Sequence, residues 1–282
     1  MLRRFQVHRA TTVAEAIELR IQFGDDAAVY AGGTELLLAM KLGVARWPHL
    51  IDIKPIAELR GIALNESVLR IGATVTHWDL ERDATVARAI PALSALERNV
   101  ANVRVRAAGT LAGNIIFAEP HADPPTLLMA LGARVILAGA KGRRAIPLAE
   151  FVTGMYQTAL AADEILVAVE VPVATARRAA YVKFQILERP SIGVAIAGDV
   201  HDGKFAEAPN IYVGAVDEMP RRVATQTLAG ASLRDAGTAD ALAEAARGAV
   251  EPIADLAGSA EYKRHLVGVF ARRALAAFAE AA

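Results

Sequence analysis

The sequence predicts an α+β protein with two domains. A larger N-terminal domain would combine a small parallel βαβαβ unit with a mixed α+β half, and a smaller C-terminal domain would combine an antiparallel sheet with helices. The chain has 282 residues, more than one domain usually contains. Short apolar runs alternate with helical apolar spacing up to about residue 55, whereas strand-like alternation and then an alanine-rich segment follow Pro172.

The first unit is predicted from five consecutive stretches of sequence. Three are typical of short strands and two have the apolar spacing of helices, the first helix ending at Gly24 and the second having about two and a half turns. In chain order they are RFQVHRA, TVAEAIELRIQFG, AAVYAGG, TELLLAMKLG and HLIDI. This order predicts a βαβαβ unit with a parallel sheet.

The remaining elements define the second half of the N-terminal domain and the C-terminal domain. SVLRIGATVT, ARVILAG and EILVAVEVPV are typical of strands, and WDLERDATVARAIPALSALERN of helix. The linker-like ATARRAA precedes a predicted strand meander, and the last 50 or so residues are predicted as amphipathic helix. We therefore place an N-terminal domain at residues 1–176, with subdomains 1–55 and 56–176, and a C-terminal domain at residues 177–282.

Composition excludes several classes of function. Lysine plus arginine equals aspartate plus glutamate at 31 each, so the chain lacks the positive field that attracts nucleic acid. It has no cysteine, which excludes disulfides, thiol catalysis and an iron–sulfur cluster held by its own thiolates. The N-terminal MLRRFQVHRATT precedes no apolar signal region, and no apolar run spans a bilayer. We expect a cytoplasmic protein without membrane insertion.

Two glycine-rich segments are the candidate ligand-binding features. AGGT at residues 31–34 precedes a predicted helix, and GTLAGN at residues 109–114 precedes the acidic Asp123. Backbone amides from both could converge on one phosphate-bearing ligand, although glycines in such places also form ordinary turns. The GxGxxG, P-loop and GxSxG motifs are absent. His121 with Asp123 is too small a set to predict a metal site.

The two segments together resemble a known family. YAGGTELLLAMKLG and RAAGTLAGNIIFAEPHADPPTLLMAL are similar to the paired loops of the FAD-binding medium subunits of molybdenum hydroxylases, which include xanthine dehydrogenase and carbon monoxide dehydrogenase. WPHLIDIKPIAELRGI and RIGATVTHWDLE match between the loops, and MPRRVATQTLAG and SAEYKRHLVGVFARRAL match the C-terminal domain. The resemblance therefore covers almost the whole chain.

The resemblance implies FAD as cofactor and assigns its binding residues position by position. The first loop would surround the pyrophosphate with main-chain amides, Leu166 would lie near the isoalloxazine ring, and Lys183 near its pyrimidine edge. A cation there would stabilise negative charge on the reduced flavin. The complete implied set is Ala31, Gly32, Gly33, Thr34, Glu35, Leu36, Val100, Ala101, Gly109, Thr110, Gly113, Asn114, Asp123, Leu166 and Lys183.

Three positions depart from the family pattern: Ala112, Ala107 and Ser191, the last of which stands where many members carry aspartate. Ala112 replaces a glycine of the second loop, which adds a methyl group where backbone could approach phosphate. Arg106 matches a family arginine, but Ala107 stands where asparagine is expected, so neither is assigned to the site. We assign no catalytic side chain and no metal to this chain.

The resemblance implies an FAD-dependent oxidoreductase subunit that passes electrons from iron–sulfur clusters to a terminal electron acceptor. Its partners would be a molybdenum-cofactor large subunit and a [2Fe–2S] small subunit, assembled as a dimer of heterotrimers. A stand-alone FAD-dependent oxidoreductase and a fold-retaining scaffold that has lost FAD remain alternatives. The C-terminal domain contains arginines at positions 221, 222, 272 and 273, which suit a protein interface. The sequence is equally compatible with a C-terminal domain that only stabilises the chain.

Overall fold

The N-terminal βαβαβ unit has the predicted parallel sheet. The structure is a computed structural model that describes residues 2–186 and 188–281. The Thr12 side chain accepts a hydrogen bond from the Glu15 amide and begins the first helix, which Gly24 ends at a φ of +50°. The sheet order is β1-β3-β2, and the elements are β1 Gln6–Arg9, α1 Val13–Phe23, β2 Ala27–Tyr30, α2 Leu36–Leu42 and β3 His49–Asp52.

The second half of the N-terminal domain is an antiparallel sheet with helices, as the predicted α+β class requires. The sheet order is β4-β5-β10-β6-β7. Its elements are β4 Ile62–Asn65, β5 Val68–Gly72, α3 His77–Arg82, α4 Ala84–Ala89, α5 Pro91–Glu97, α6 Val103–Ala108, α7 Leu111–Phe117, α8 Asp123–Ala130, β6 Arg134–Gly139, β7 Gly142–Pro147, α9 Leu148–Phe151, β8 Val152–Gly154, β9 Gln157–Thr158 and β10 Ile165–Pro172. Every residue of α8 is buried, so this helix lies at the centre of the molecule.

The C-terminal part combines an antiparallel sheet with two helices that cover it. The sheet order is β11-β12-β14-β15, with β13 beside β12. The elements are β11 Arg177–Gln185, β12 Pro190–His201, β13 Lys204–Phe205, β14 Asn210–Gly214, β15 Arg221–Arg222, α10 Ala236–Gly248 and α11 Ala260–Glu280. One apolar core lies between this sheet and the helices, and a separate larger core fills the N-terminal half.

The boundaries of several predicted elements differ in the structure. The helical stretch from Trp78 onward forms three helices, because Asp83 caps α4 and Pro91 begins α5. Helix α2 has seven residues and begins at Leu36, two residues later than the predicted helical stretch that starts at Thr34. The linker-like ATARRAA enters β11 at Arg177, and the C-terminal helical stretch is divided between α10 and α11.

Helix α8 joins the two parts of the chain. It packs on β12 and β14, and Ala195, Ala197 and Tyr212 of those strands belong to the N-terminal core. Gly214 leaves room for the Thr126 side chain, since a methyl group there would collide with it. In the described part of the chain, no helix combines the length and apolar character needed to cross a membrane.

Candidate cofactor site

The two glycine-rich segments lie against each other in the structure. A methyl group at Gly32 would collide with the carbonyl oxygen of Ala108 and would lie 2.7 Å from the Gly109 Cα. A methyl group at Gly109 would lie 2.9 Å from the Val105 carbonyl oxygen and 3.2 Å from Thr34 Oγ1. Glycine is therefore required at position 32 because the two backbones approach each other closely, and at position 109 because the Val105 carbonyl oxygen and the Thr34 hydroxyl lie beside it.

The first loop presents a series of unused backbone donors. The amides of residues 32–36 donate to no acceptor in the part of the chain that the structure describes. Gly33 has a φ of +72°, and a side chain there would also collide with the ring of Tyr30. Successive free amides in a turned backbone form an anion-binding concavity. The loop therefore has the chemistry needed to hold a phosphate group.

The second glycine-rich segment is held by a helix cap and by a short strand-like bridge. Thr110 Oγ1 accepts a 3.0 Å hydrogen bond from the Gly113 amide and begins α7, so Gly113 and Asn114 lie in the first helical turn. Thr110 also pairs with Thr76 in an isolated antiparallel bridge. Asn114 Oδ1 is buried and has no hydrogen-bond partner among the described residues, which marks it as an acceptor for a missing donor.

Ala112, which departs from the family pattern, and Arg106, which matches it but was not assigned to the site, both have clear structural places. Ala112 is 3% exposed and packs in the N-terminal core, so its methyl group does not fill the space between the two loops. Arg106 donates to the carbonyl oxygens of Val100 and Ala101 at 3.0 and 3.4 Å and pairs with Glu81. Arg106 thus fixes Val100 and Ala101, two of the residues assigned to FAD binding.

Asp123 and Lys183 are brought together and bind each other. Lys183 Nζ donates to Asp123 Oδ2 at 3.0 Å and to the Asn99 carbonyl oxygen at 2.7 Å. The Tyr181 hydroxyl donates to Asp123 Oδ1 at 2.8 Å. Burial raises the pKa of Asp123, and the Lys183 ammonium opposes that shift. Burial and the neighbouring Asp123 raise the pKa of Tyr181 well above its usual value, so the phenol remains a donor.

Leu166 occupies a different environment from the other assigned residues. Its side chain is 1% exposed, and it lies opposite Leu137 in the sheet. Strand β10, which contains Leu166, underlies α7. Leu166 therefore belongs to the support beneath the second glycine-rich segment and offers no surface to solvent.

Sequence reasoning missed several residues that the structure places around the two loops. Tyr181 could have been found because it lies two residues before Lys183, on the same face of a strand. His77 donates its amide to the Gly109 carbonyl oxygen at 3.0 Å, and its Nδ1 lies 2.6 Å from Glu97 Oε2 in a buried pair. No local signal links the distant Glu97 to this site.

A chain of charged side chains connects the first loop to the C-terminal helices. Arg189 contacts Glu35 Oε1 at 3.1 Å and Glu119 Oε1 at 3.2 Å. His121 lies 2.9 Å from Glu119 and 3.2 Å from Asp255. We call this series the interdomain ion-pair chain; its members, in spatial order, are Glu35, Arg189, Glu119, His121, Asp255 and Lys263.

The pKa values along the interdomain ion-pair chain favour its charged state. The hydrogen bond to Glu119 raises the pKa of His121, although burial opposes this, and Asp255 adds to the rise. Burial alone would raise the pKa of Glu119, but His121 and Arg189 together lower it. Burial alone would also raise the pKa of Asp255, but the hydrogen bond to Lys263 contributes to a net lowering of that pKa. Alternating charges therefore stabilise one another along the series.

These features fit FAD, the cofactor that the family resemblance implies. The free amides of residues 32–36 suit a pyrophosphate, and the unpartnered Asn114 Oδ1 needs a donor such as a hydroxyl or amide. The glycines at positions 32 and 109 let the two segments lie against each other. The arrangement contains no nucleophile–base pair, and its chemistry is that of holding and polarising a bound group.

Comparison with known proteins finds two family models that match the chain. Residues 3–174 match the model described as FAD binding domain in molybdopterin dehydrogenase. Residues 189–278 match the model described as CO dehydrogenase flavoprotein C-terminal domain.

Individual relatives resemble the chain over nearly its full length. The carbon monoxide dehydrogenase medium chain of Hydrogenophaga pseudoflava is 36% identical over 277 residues, which cover 96% of both chains. A xanthine dehydrogenase FAD-binding subunit of Escherichia coli O157:H7 is 31% identical over 95% of this chain and 94% of its own.

Solved structures show the same fold. A chain of carbon monoxide dehydrogenase from Hydrogenophaga pseudoflava superposes with a TM-score of 0.96 at 35% identity and full coverage of both chains. A chain of quinoline 2-oxidoreductase from Pseudomonas putida 86 superposes with a TM-score of 0.93 at 29% identity, covering 99% of this chain and 98% of its own.

Proposed function

The chain belongs to the family of FAD-binding domains in molybdopterin dehydrogenases, and we propose that it is the FAD-carrying electron-transfer subunit of a multi-subunit molybdenum hydroxylase. The observation that carries the proposal is the contact between the two glycine-rich segments. Five successive amides at residues 32–36 donate to no described acceptor, and their loop lies against a second segment that contains Asn114, whose buried Oδ1 has no partner among the described residues. This combination suits an extended ligand with both phosphate and hydroxyl groups.

The proposed FAD site keeps the residues assigned from the sequence. The amides of residues 32–36 would hold the pyrophosphate, and Asn114 would accept a hydrogen bond from the cofactor. Asp123 and Lys183 act as one pair, so we propose that the lysine presents its charge while the carboxylate fixes its position. Leu166 would contribute from beneath as part of the supporting strand.

A bound FAD would supply reversible electron transfer between a one-electron and a two-electron partner. The side chains of this subunit would bind and orient the cofactor and set the charge around it. Arg106 holds the backbone at Val100 and Ala101, and Arg189 holds Glu35 next to the free amides. No acid–base side chain is needed for this role.

We propose that the partners are a molybdenum-cofactor large subunit and a [2Fe–2S] small subunit, in a dimer of heterotrimers. The relatives support this because they are named as medium chains, a medium subunit or a subunit of a complex. The domain boundary near residue 176 and the cytoplasmic location are likewise proposals. Limited proteolysis tests the boundary, and fractionation of the source cells tests the location.

The test is to purify the chain alone and together with the two partner subunits encoded in the same source. We expect the lone chain to bind about one FAD, and the co-expressed complex to contain molybdenum and iron as well. A lone yellow protein that turns over its own substrate would support the stand-alone oxidoreductase instead. A folded chain without any FAD affinity would support the scaffold that has lost its cofactor.

A further inference from the structure

Strand β11 has an edge that pairs with no other strand in the described part of the chain. It is the terminal strand of the C-terminal sheet and pairs with β12 along its nine residues, Arg177–Gln185. The unpaired side of such a strand presents a row of backbone N–H and C=O groups. A long free edge of this kind is a template for adding another strand.

This free edge lies in a cleft of about 820 Å³ between the two parts of the chain. The consecutive residues 172–181 all line the cleft. Because successive side chains of a strand point to opposite faces, an unbroken series of this kind means that the edge of the strand, and not one face of the strand, borders the cleft. The bond from Lys183 Nζ to the Asn99 carbonyl oxygen spans one end of the cleft. Ala277 and Ala281 of the C-terminal helix line another part of its wall.

The opposite wall carries alanines beside Ile90 and Leu96, whose side chains are themselves buried. Ala89, Ala92 and Ala95 of α4 and α5 line it, and Ala95 is exposed. Alanine on this wall leaves space beside the strand edge for another backbone, whereas large side chains would fill it. The cleft is therefore shaped for a thin, extended segment.

The charge of the cleft indicates the chemistry of its occupant. Three cations line it, Arg177, Arg178 and Lys183, and no aspartate or glutamate is among the described lining residues. Lys183 is paired with Asp123, and Arg177 lies 3.6 Å from Asp199. Arg178 makes no ion pair with any described residue. An acidic segment would complement this charge.

We propose that β11 binds an extended acidic segment of a partner subunit by strand addition within this cleft. The inference rests on the proposed function, because it requires that the chain work in a multi-subunit hydroxylase. The strand edge supplies main-chain hydrogen bonds, and Arg178 selects for acidic side chains. The cleft thus shares Lys183 with the proposed FAD site, but it contains no residue of the two glycine-rich segments.

The absence of cysteine makes the first experiment selective. Ala95→Cys places a unique thiol of this chain in the cleft, and Ala87→Cys places one on an exposed position of α4 outside it. Maleimide labelling is compared between the isolated chain and the co-expressed complex. We expect the thiol at position 95 to react about tenfold more slowly in the complex than in the isolated chain. The labelling rate of the thiol at position 87 should be the same in both.

A photo-crosslinker attached to the thiol at position 95 then identifies the occupant by mass spectrometry of the complex. A crosslink to one extended, acidic segment of a partner subunit would support the proposal. A crosslink to a second copy of this chain, or equal labelling in the isolated chain and the complex, would overturn it.

Two pairs of substitutions test whether the contact matters for assembly. We expect Ala95→Trp and Arg178→Glu to lower the fraction of chain that co-purifies with partner subunits at least about tenfold, with FAD content retained. The matched controls Ala87→Trp and Arg88→Glu should assemble normally. Normal assembly of both cleft variants would contradict the proposal. The unmodified chain is the control for the proposed function. If it forms no complex with partner subunits, the proposed function itself fails, and the measured size of this control shows that outcome separately from the effects of the variants.

Discussion

Gly32 and Gly33 are adjacent, yet the structure requires glycine at each for a different reason. Gly32 lies against the Ala108 backbone, where any Cβ would force the two glycine-rich segments apart. Gly33 has a left-handed φ of +72° in addition to its contact with Tyr30. Close approach of two backbones and unusual dihedral angles are the two uses for which glycine has no substitute.

We expect Gly32→Ala to weaken FAD binding by about tenfold or more, equivalent to about 1.4 kcal/mol. The added methyl group would displace the backbone at Ala108 and so separate the donors of the two segments. Fluorescence titration of the apo chain with FAD measures the effect. Gly248→Ala is the matched control, because a Cβ there meets nothing within 4 Å. Unchanged FAD affinity in Gly32→Ala would contradict the site assignment.

The Asp123–Lys183 pair gives a second prediction at this scale. Lys183→Met leaves the Asp123 carboxylate, which is 4% exposed, with only Tyr181 as a hydrogen-bond donor. Removal of one member of a buried pair typically costs about 3 kcal/mol, since the other charge stays buried. We therefore expect urea unfolding of the apo chain to show a loss of that order.

The double variant Lys183→Met with Asp123→Asn serves as the control for this prediction. It removes the buried charge together with its partner, so we expect it to recover a large part of the lost stability. If the double variant is as unstable as Lys183→Met alone, the ion pair is not the cause of the loss.

At the scale of elements, short helices shape this molecule. Helix α7 carries Gly113 and Asn114, and its position depends on the cap at Thr110 and on the bridge to Thr76. Helices α3 to α5 turn sharply at Asp83 and Ile90, where side-chain capping and Pro91 replace continuous helix. These turns bring His77 beneath Gly109 and place α5 against the C-terminal sheet.

We expect Thr110→Val to lower stability by about 1 kcal/mol, the usual effect of losing a helix N-cap. It should also weaken FAD binding, because the hydroxyl that accepts from the Gly113 amide positions the first turn of α7. Thermal unfolding and FAD titration measure the two effects. Thr110→Ser keeps the hydroxyl and should retain both properties. Equal behaviour of the two variants would show that the cap does not matter.

At the scale of the whole molecule, the interdomain ion-pair chain joins the first loop, the second subdomain and the C-terminal helices. Lys263 is 1% exposed and also donates to the Ile253 carbonyl oxygen at 2.9 Å. His121 is the central member, and it bridges Glu119 and Asp255. Because its pKa is raised in the folded protein, the link it provides depends on pH.

We expect His121→Gln to remove a stabilisation that is present at acidic pH and absent at alkaline pH. A raised folded-state pKa means that the contribution is complete below the unfolded value of about 6.5 and disappears as the pH rises through the folded value. Glu119 and Asp255, whose pKa values are lowered, remain charged at pH 6 or so.

The size of this effect should be about 1 kcal/mol or less, because the His121 side chain is 30% exposed. Melting temperatures of both proteins at about pH 6 and about pH 9 measure it. The difference between the native chain and His121→Gln should be larger at the lower pH. The control His201→Gln changes a histidine whose side chain is 82% exposed, so the loss of its surface pair with Asp202 should have little effect on stability. A pH-independent difference would contradict the prediction.

The four C-terminal arginines considered as an interface have partners within the chain. Arg221 binds Asp217, Arg272 binds Asp240, and Arg222 donates to Asn210. The Arg273 guanidinium lies 4.8 Å from the centre of the Phe270 ring. An interface at these arginines stays a prediction. Deletion of α10 and α11 could not test it cleanly, since these helices supply much of the C-terminal core.

The sequence by itself determined the class of fold, the order of its elements and the family. Apolar periodicity and glycine breaks identified β1 to β3 with their two helices, because those signals are local and repeat within a few residues. The paired segments at residues 31–34 and 109–114 carried the family resemblance, and the absence of cysteine excluded whole classes of chemistry. Short-range patterns could not show where α2 begins or how α3 to α5 are divided, since capping bonds decide those ends.

Only the tertiary structure decided which side chains meet. Asp123 and Lys183 were assigned to separate parts of the cofactor, yet they bind each other because α8 and β11 pack side by side. The interdomain ion-pair chain connects residues as distant as Glu35 and Lys263, and the free edge of β11 faces α5 across a cleft. Such contacts join positions far apart in sequence, and their geometry comes from the packing of whole elements, which no local pattern records.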